Sequence, residues 1–235
     1  MSEKDPIVVT LGDTSLRKSD FSTLQPGRCL TDAIISFVFE MISNSHHSSI
    51  HKTGNRRKGV ILISPASVML AKYVGEDFVR EVFGKQLGVS ECSLALLPVN
   101  DKSNVEQRIG GSHWSLLVFC DQEGFIHFDS AGGLNGMCAK ETAQMISPAL
   151  PLNAPKSFVE CKATPRQENG IDCGVFVIAF AEAIVSLFET SSSFGINSSE
   201  RAVCQLKSKG ISSNVRQQLL QQINELISQR KRELK

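Results

Sequence analysis

The sequence predicts an α+β fold, a short, mainly antiparallel sheet packed with a central buried helix. Three observations predict it. Helical periodicity marks both ends of the chain, short apolar strands cluster between residues 93 and 129, and the run Cys173–Phe188 is apolar almost all round. Strands and helices do not alternate regularly, which argues against a doubly wound parallel sheet.

Leu30 to Ile42 reads as the first helix, because Ala33, Ile34, Phe37, Val38 and Met41 recur at helical spacing. Residues 43–59 are expected to be an exposed loop. They combine Ser43-Asn44-Ser45-His46-His47-Ser48-Ser49 with the basic Asn55-Arg56-Arg57-Lys58-Gly59, and a solvated loop outweighs a partner-contact role for this stretch. Ser64-Pro65 opens a helix as N-cap and first helical residue. Ser93–Val99, His113–Cys120 and Phe125–Asp129 read as strands, the last two around a polar turn, and Ser157–Cys161 as one further strand. Ala139–Leu150 is expected to be helical, stopping near Pro151. Cys173–Phe188 forms the core helix and Ser191–Asn197 a polar break. Asn214–Gln229 closes the chain as an amphipathic helix, with Val215, Leu219, Ile223, Leu226 and Ile227 on one side and Arg230-Lys231-Arg232 at its C-terminal end. No internal repeat is evident, and the 235 residues are read as a single domain, 1–235.

Composition narrows the function. Hydrophobic residues make up 41% and the formal charge is +1, so no excess of positive charge points to nucleic acid. No apolar run is expected to reach the roughly 20 residues of a membrane helix. The N-terminal Met1-Ser2-Glu3-Lys4-Asp5-Pro6 is charged, without the apolar core of a signal peptide, so the cytoplasm or nucleus is the expected compartment. Seven cysteines stand at 29, 92, 120, 138, 161, 173 and 204. None form a C-x-x-C pair, so zinc and dithiol chemistry find almost no support and neither metal nor cofactor is expected. Free thiols in a reducing compartment are usually small buried hydrophobes.

Cys173 is the exception worth arguing. It follows Asn169-Gly170-Ile171-Asp172, a turn sequence, and opens the buried helix. A sulfur there faces free backbone N–H groups and the positive end of the helix dipole, both of which favour thiolate. Asp172 is a candidate N-cap, and Gly174 is expected to leave room for a substrate backbone. His113, in Gly110-Gly111-Ser112-His113-Trp114-Ser115, is a candidate base at a strand start. Asp129 ends the next strand and would orient it. A turn centred on Asp121 would set His113 and Asp129 opposite one another, whereas one centred between Gln122 and Glu123 would separate them onto opposite faces. His127 competes as base, but its apolar mid-strand neighbours assign it a structural role. Gln167, six residues before the cysteine, can offer an amide to an oxyanion together with the Cys173 backbone N–H.

Together, Gly-Gly-x-His-Trp-Ser, an aromatic-Asp-Ser strand and Gln followed six residues later by Cys-Gly resemble the ubiquitin-like-protein-specific cysteine proteases, which include the sentrin (SUMO) proteases. Residues 7–25 and 26–42 resemble the family's leading segment, with Leu16-Arg17-Lys18-Ser19-Asp20 before a helix. The compact chain looks most like the branch acting on the Nedd/Rub-type cullin modifier. The resemblance implies a papain-like fold, a triad of His113, Asp129 and Cys173, and Gln167 in the oxyanion hole. It further implies hydrolysis after the C-terminal Gly-Gly of a ubiquitin-like modifier, during precursor maturation or removal from conjugates such as cullins, by a monomer. Trp114 would roof a tunnel that only glycine threads. Cys29 stands where the family usually has a second tryptophan, so modifier choice is less determined than the chemistry. Asp32 matches an acidic residue of that segment and either contacts the modifier or caps the helix. A SUMO-specific protease, a non-cleaving modifier-binding module and acyl transfer by the same triad are the competing readings.

Overall fold

The computed structural model describes residues 5–53, 59–101, 111–191, 194–208 and 210–233. An antiparallel hairpin, β1 (Ile7–Leu11) and β2 (Thr14–Arg17), opens the chain and runs into the short α1 (Lys18–Ser22). The long α2 (Asp32–Thr53) follows. Thr31, not Asp32, caps it: its Oγ1 accepts from the Ile34 N–H at 3.4 Å, while the Asp32 carboxylate accepts from its neighbour Ala33. α2 also corrects one expectation. Residues 43–53, read as loop, continue the helix, because extending a helix already anchored by a buried face at Ile34, Ile35, Val38 and Ile42 costs far less than nucleating one, even through poor helix formers such as Ser, Asn and His. The basic residues 55–58 lie outside the described residues.

β3 (Val60–Leu62) leads to α3 (Pro65–Ala71), whose N-cap Ser64 accepts from the Ser67 N–H at 3.1 Å as the Ser-Pro signal requires. α4 (Glu76–Phe78) passes directly into a π-helical stretch, Val79–Gln86. Then come β4 (Leu94–Asn100), β5 (Trp114–Cys120), β6 (Gly124–Phe128), α5 (Gly136–Ile146), β7 (Phe158–Glu160), α6 (Cys173–Thr190), α7 (Ile196–Cys204) and α8 (Ile211–Glu233). α7 begins inside the expected polar break. Its apolar anchors Ala202 and Val203 sit at its far end, so its Ser-rich start hides it.

The sheet runs β3-β4-β5-β6-β7, with antiparallel inner pairs and parallel outer pairs. Both faces are covered. Leu94, Leu96, Leu116, Val118, Ile126 and Phe128 pack with α2, α6 and α8, while Ala95, Leu97, Val99, Leu117, Phe119 and Phe125 pack with α3 and α5. This explains why β4 and β5 read as continuous apolar runs instead of an alternation. α6 is 18 residues long and apolar enough to cross a membrane by length and composition, contrary to the expectation that no run approached that limit. It is instead a core helix, with Val175, Ile178, Phe180 and Ile184 buried against the sheet layer.

Phe180 is 1% exposed and its ring meets Phe128 and Phe176 at centroid distances of 6.1 and 5.8 Å. Phe180→Ala is therefore expected to cost about 3–5 kcal/mol, from lost transfer energy plus a cavity. Urea denaturation should show a lowered midpoint with an unchanged slope.

Candidate active site

The β5–β6 turn sets the site's geometry. Cys120 pairs with Gly124, so the turn centres on Gln122, one residue beyond the Asp121 centre that would have paired His113 with Asp129 directly. Continued past the last pair, this register sets Asp129 opposite Ser115, two residues along from His113. A two-residue offset keeps both side chains on one face and makes them diagonal neighbours. His113 Nε2 and Asp129 Oδ1 are 2.6 Å apart.

Asp129 is buried and accepts two backbone hydrogen bonds as well, from Ala131 N–H to Oδ1 at 2.8 Å and from Asn135 N–H to Oδ2 at 2.9 Å. Burial pushes its pKa up, but the bonds from His113, Asn135 and Ala131 win and hold the carboxyl down at about 2. The same pair acts in reverse on the imidazole. Burial lowers the pKa of His113, yet the hydrogen bonds to Asp129 and Cys173 and both partner charges raise it to about 9. With Nε2 committed to Asp129, Nδ1 is the nitrogen left for sulfur.

The His113 backbone is fixed from several sides. Asp101 Oδ1 accepts from the N–H groups of Ser112 and His113 at 2.6 and 3.1 Å. The side-chain amides of Asn100 and Asn135 donate to the His113 carbonyl at 3.1 and 3.2 Å. Gly111 has φ +85, and a Cβ there would collide with the Asn100 amide, so only glycine fits. Asn135 is fully buried and also bonds the Val99 carbonyl and Ser115 Oγ. Sequence reasoning passed over Asn100, Asp101 and Asn135. The run Gly132-Gly133-Leu134-Asn135-Gly136 is turn chemistry, and that is the one signal that pointed there.

Cys173 is buried, 3% exposed, and opens α6 as expected. Asp172 holds the N-cap position but makes no side-chain cap bond. Its carboxylate goes to Arg216 Nη2 at 2.6 Å and to the Asn169 amide at 2.7 Å, so the first N–H groups of α6 are not spent on a side-chain cap. Gly174 also departs from expectation. It faces protein, since a Cβ there would lie 3.1 Å from Leu30 Cβ, and its smallness lets the leading segment approach the start of α6.

Gln167 is tied to the residue after Asp129. Its backbone N–H donates to the Ser130 carbonyl at 3.0 Å, and its Oε1 accepts from Ser130 Oγ at 2.7 Å. Its side-chain Nε2 donates to the Asn169 carbonyl at 2.5 Å, which leaves one amide N–H. Trp114 begins β5 beside His113, half-buried against the core, while Cys29 and Asp32 are exposed. His127 is fully buried, with Nδ1 3.1 Å from Glu160 Oε2 and its ring stacked near Phe158, a structural placement. Among the other thiols, burial pushes Cys120 up to about 12, which keeps it inert.

A buried thiol at the mouth of a core helix, with an imidazole–carboxylate pair on an adjoining sheet, defines a cysteine protease of papain-like α+β fold. The chain belongs to the Ulp1 protease family: that family's C-terminal catalytic domain matches residues 28–231. The resemblance noted in residues 7–25 lies before that match. NEDD8-specific protease 1 of Arabidopsis thaliana is 35% identical over 187 residues, 79% of this chain and 78% of that protein. Sentrin-specific protease 8 of Homo sapiens is 38% identical over 188 residues, 78% of this chain and 84% of that protein. A crystal structure of a de-sumoylating protease superposes with a TM-score of 0.61 at 17% identity, covering 94% of this chain and 91% of that one, which establishes the shared fold.

Two tests follow from this electrostatics. The folded pKa of His113 lies above its ordinary 6.5, so its contribution to stability is complete below that value and is lost as pH rises through about 9. An NMR titration of the imidazole should give a midpoint near about 9 in the wild type. In Asp129→Asn the midpoint should move down towards the ordinary value. Separately, Arg216→Met strands the buried Asp172 carboxylate and is expected to cost about 3–5 kcal/mol at neutral pH. Asp172 has a lowered pKa, against its burial and through Asn169, Arg216 and Ser212, so that cost should shrink as acid protonates it. Urea unfolding of both proteins across pH measures this.

Proposed function

We propose that this protease hydrolyses the bond after the C-terminal Gly-Gly of a ubiquitin-like modifier of the NEDD8 type, with Cys173 as nucleophile, His113 as acid and base, Asp129 as its orienting carboxylate and Gln167 in the oxyanion hole. The observation that carries this is the 2.6 Å His113–Asp129 bond with the Cys173 sulfur acting on the same ring. His113 Nδ1 takes the thiol proton, and the sulfur attacks the glycine carbonyl carbon. The oxyanion receives the Cys173 backbone N–H and the remaining Gln167 amide N–H. His113 then protonates the leaving amine, and the thioester is hydrolysed by water that His113 deprotonates. The modifier assignment is supported by the name of the plant relative, NEDD8-specific protease 1, at 35% identity.

Trp114, Cys29 and Asp32 form the modifier-facing rim in this reading, with half-buried Trp114 over the glycine tail. NEDD8-type conjugates, cullins among them, are the proposed substrates, the cytoplasm or nucleus the proposed compartment, and a monomer the proposed working form.

Cys173→Ala should reduce cleavage to background on a panel of NEDD8-type and SUMO-type precursors, while binding of the preferred modifier persists. Residual turnover in that variant would defeat the nucleophile assignment. Wild-type turnover of SUMO with none of the NEDD8-type precursor would defeat the modifier assignment.

A further inference from the structure

Away from His113 and Cys173, the fold gathers three side chains that no catalytic role uses. Cys161 follows β7, with its backbone N–H bound to the His127 carbonyl at 3.0 Å. Glu200 and Cys204 stand four residues apart on α7, hence on one face of that helix. The three ligand atoms lie within 4.8 Å of one another. Cys161 Sγ is 3.8 Å from Cys204 Sγ and 3.5 Å from Glu200 Oε1.

These separations have a chemical meaning. A disulfide needs its sulfurs about 2.0 Å apart, so this pair is not at bonding distance. A tetrahedral zinc ion, with Zn–S about 2.3 Å and Zn–O about 2.0 Å, holds two sulfurs about 3.8 Å apart and a sulfur and oxygen about 3.5 Å apart. Both measured edges match that tetrahedron. The Ala163 carbonyl oxygen, 3.4 Å from Cys204 Sγ, adds an oxygen donor at a similar edge length. Among the described residues no lysine or arginine forms an ion pair with Glu200, so no protein cation already compensates the cluster.

We propose that Cys161, Glu200 and Cys204 bind a thiophilic divalent metal ion of the Zn²⁺ class, with the fourth position filled by water or the Ala163 carbonyl. The absence of a C-x-x-C pair conceals this site, because its two sulfurs come from segments joined only by the fold. The ion staples α7 to the turn that begins the loop towards Gln167. Cys161 anchors that turn, since the Thr164 N–H and hydroxyl both donate to its carbonyl, at 3.4 and 2.7 Å. The site is structural and independent of the modifier reading.

The test uses the full chain, stripped with chelator and titrated with Co²⁺ and then Zn²⁺. One equivalent of Co²⁺ should bind with a thiolate-to-cobalt charge-transfer absorption and tetrahedral d–d bands, which Zn²⁺ then abolishes. Cys161→Ser and Cys204→Ser should each weaken Zn²⁺ by at least ~100-fold and Glu200→Gln by about 10-fold, while Cys173→Ser leaves affinity unchanged. Absence of the charge-transfer band in the wild-type protein overturns the proposal, whatever the variants' stability. So does affinity unaltered in the two cysteine variants, or lost in Cys173→Ser. Mild oxidation that joins Cys161 to Cys204 in a protein taking up no metal identifies a redox pair and likewise overturns it.

Discussion

The buried Asp129 carboxylate is the constraint around which the site is organised. A charge taken out of water must be met by hydrogen bonds at every available lone pair, or it neutralises. Here the Ala131 and Asn135 N–H groups and the His113 ring supply them, and the carboxyl stays ionised at about 2. Two of these three donors are backbone, so the geometry belongs to the turn and not to a mobile side chain. The next residue, Ser130, extends the arrangement by gripping Gln167 through both its carbonyl and its hydroxyl. One dipeptide thus places the base and the proposed oxyanion donor together.

A second charge positions the proposed nucleophile. Arg216 of α8 is 4% exposed and reaches the Thr23 carbonyl at 2.8 Å, the Arg28 carbonyl at 2.6 Å and Asp172 at 2.6 Å. The guanidinium fork suits this role, because its rigid donors can serve several acceptors at once. It ties the leading segment, the residue before the nucleophile and the C-terminal helix into one unit. Because Asp172 answers Arg216 and Asn169, its side chain does not cap α6. The N-terminal amides that a capping carboxylate would consume remain beside the sulfur.

What the sequence disclosed follows from the range of the interactions involved. The α+β class, the core helix from Cys173 and the Ser64 cap rest on local periodicity and local chemistry, and they stand as expected. The hairpin centre missed by one residue, since Asp121-Gln122-Glu123 is polar throughout and marks no single centre, and the pairing is fixed by the sheet. The face was nevertheless right, because an offset of two preserves the alternation. Asp101, Asn135 and Arg216 escaped notice for a different reason. Each acts through partners distant in sequence, and an isolated asparagine or arginine has no local signature that distinguishes it from solvated surface. The N-terminal hairpin was missed although Ile7-Val8-Val9-Thr10-Leu11 and the Gly12-Asp13 turn signal it, and α7 was missed because little apolar patterning marks it.

Rigidity in the proposed triad and exposure at the proposed rim would divide the labour of this enzyme. His113 is held by Asp129, Asp101, Asn100 and Asn135, so a substrate need not order it, and the chemistry carries little information about which modifier is cut. In the proposed reading, discrimination arises where side chains still meet solvent, at Cys29, Asp32 and the half-buried Trp114. In that reading a cysteine at position 29 would cover less of the tail than a tryptophan, and contacts across the modifier's folded surface would supply more of the selectivity. Exposed positions such as these can change at small cost to stability, whereas residues of the buried network that holds His113 cannot.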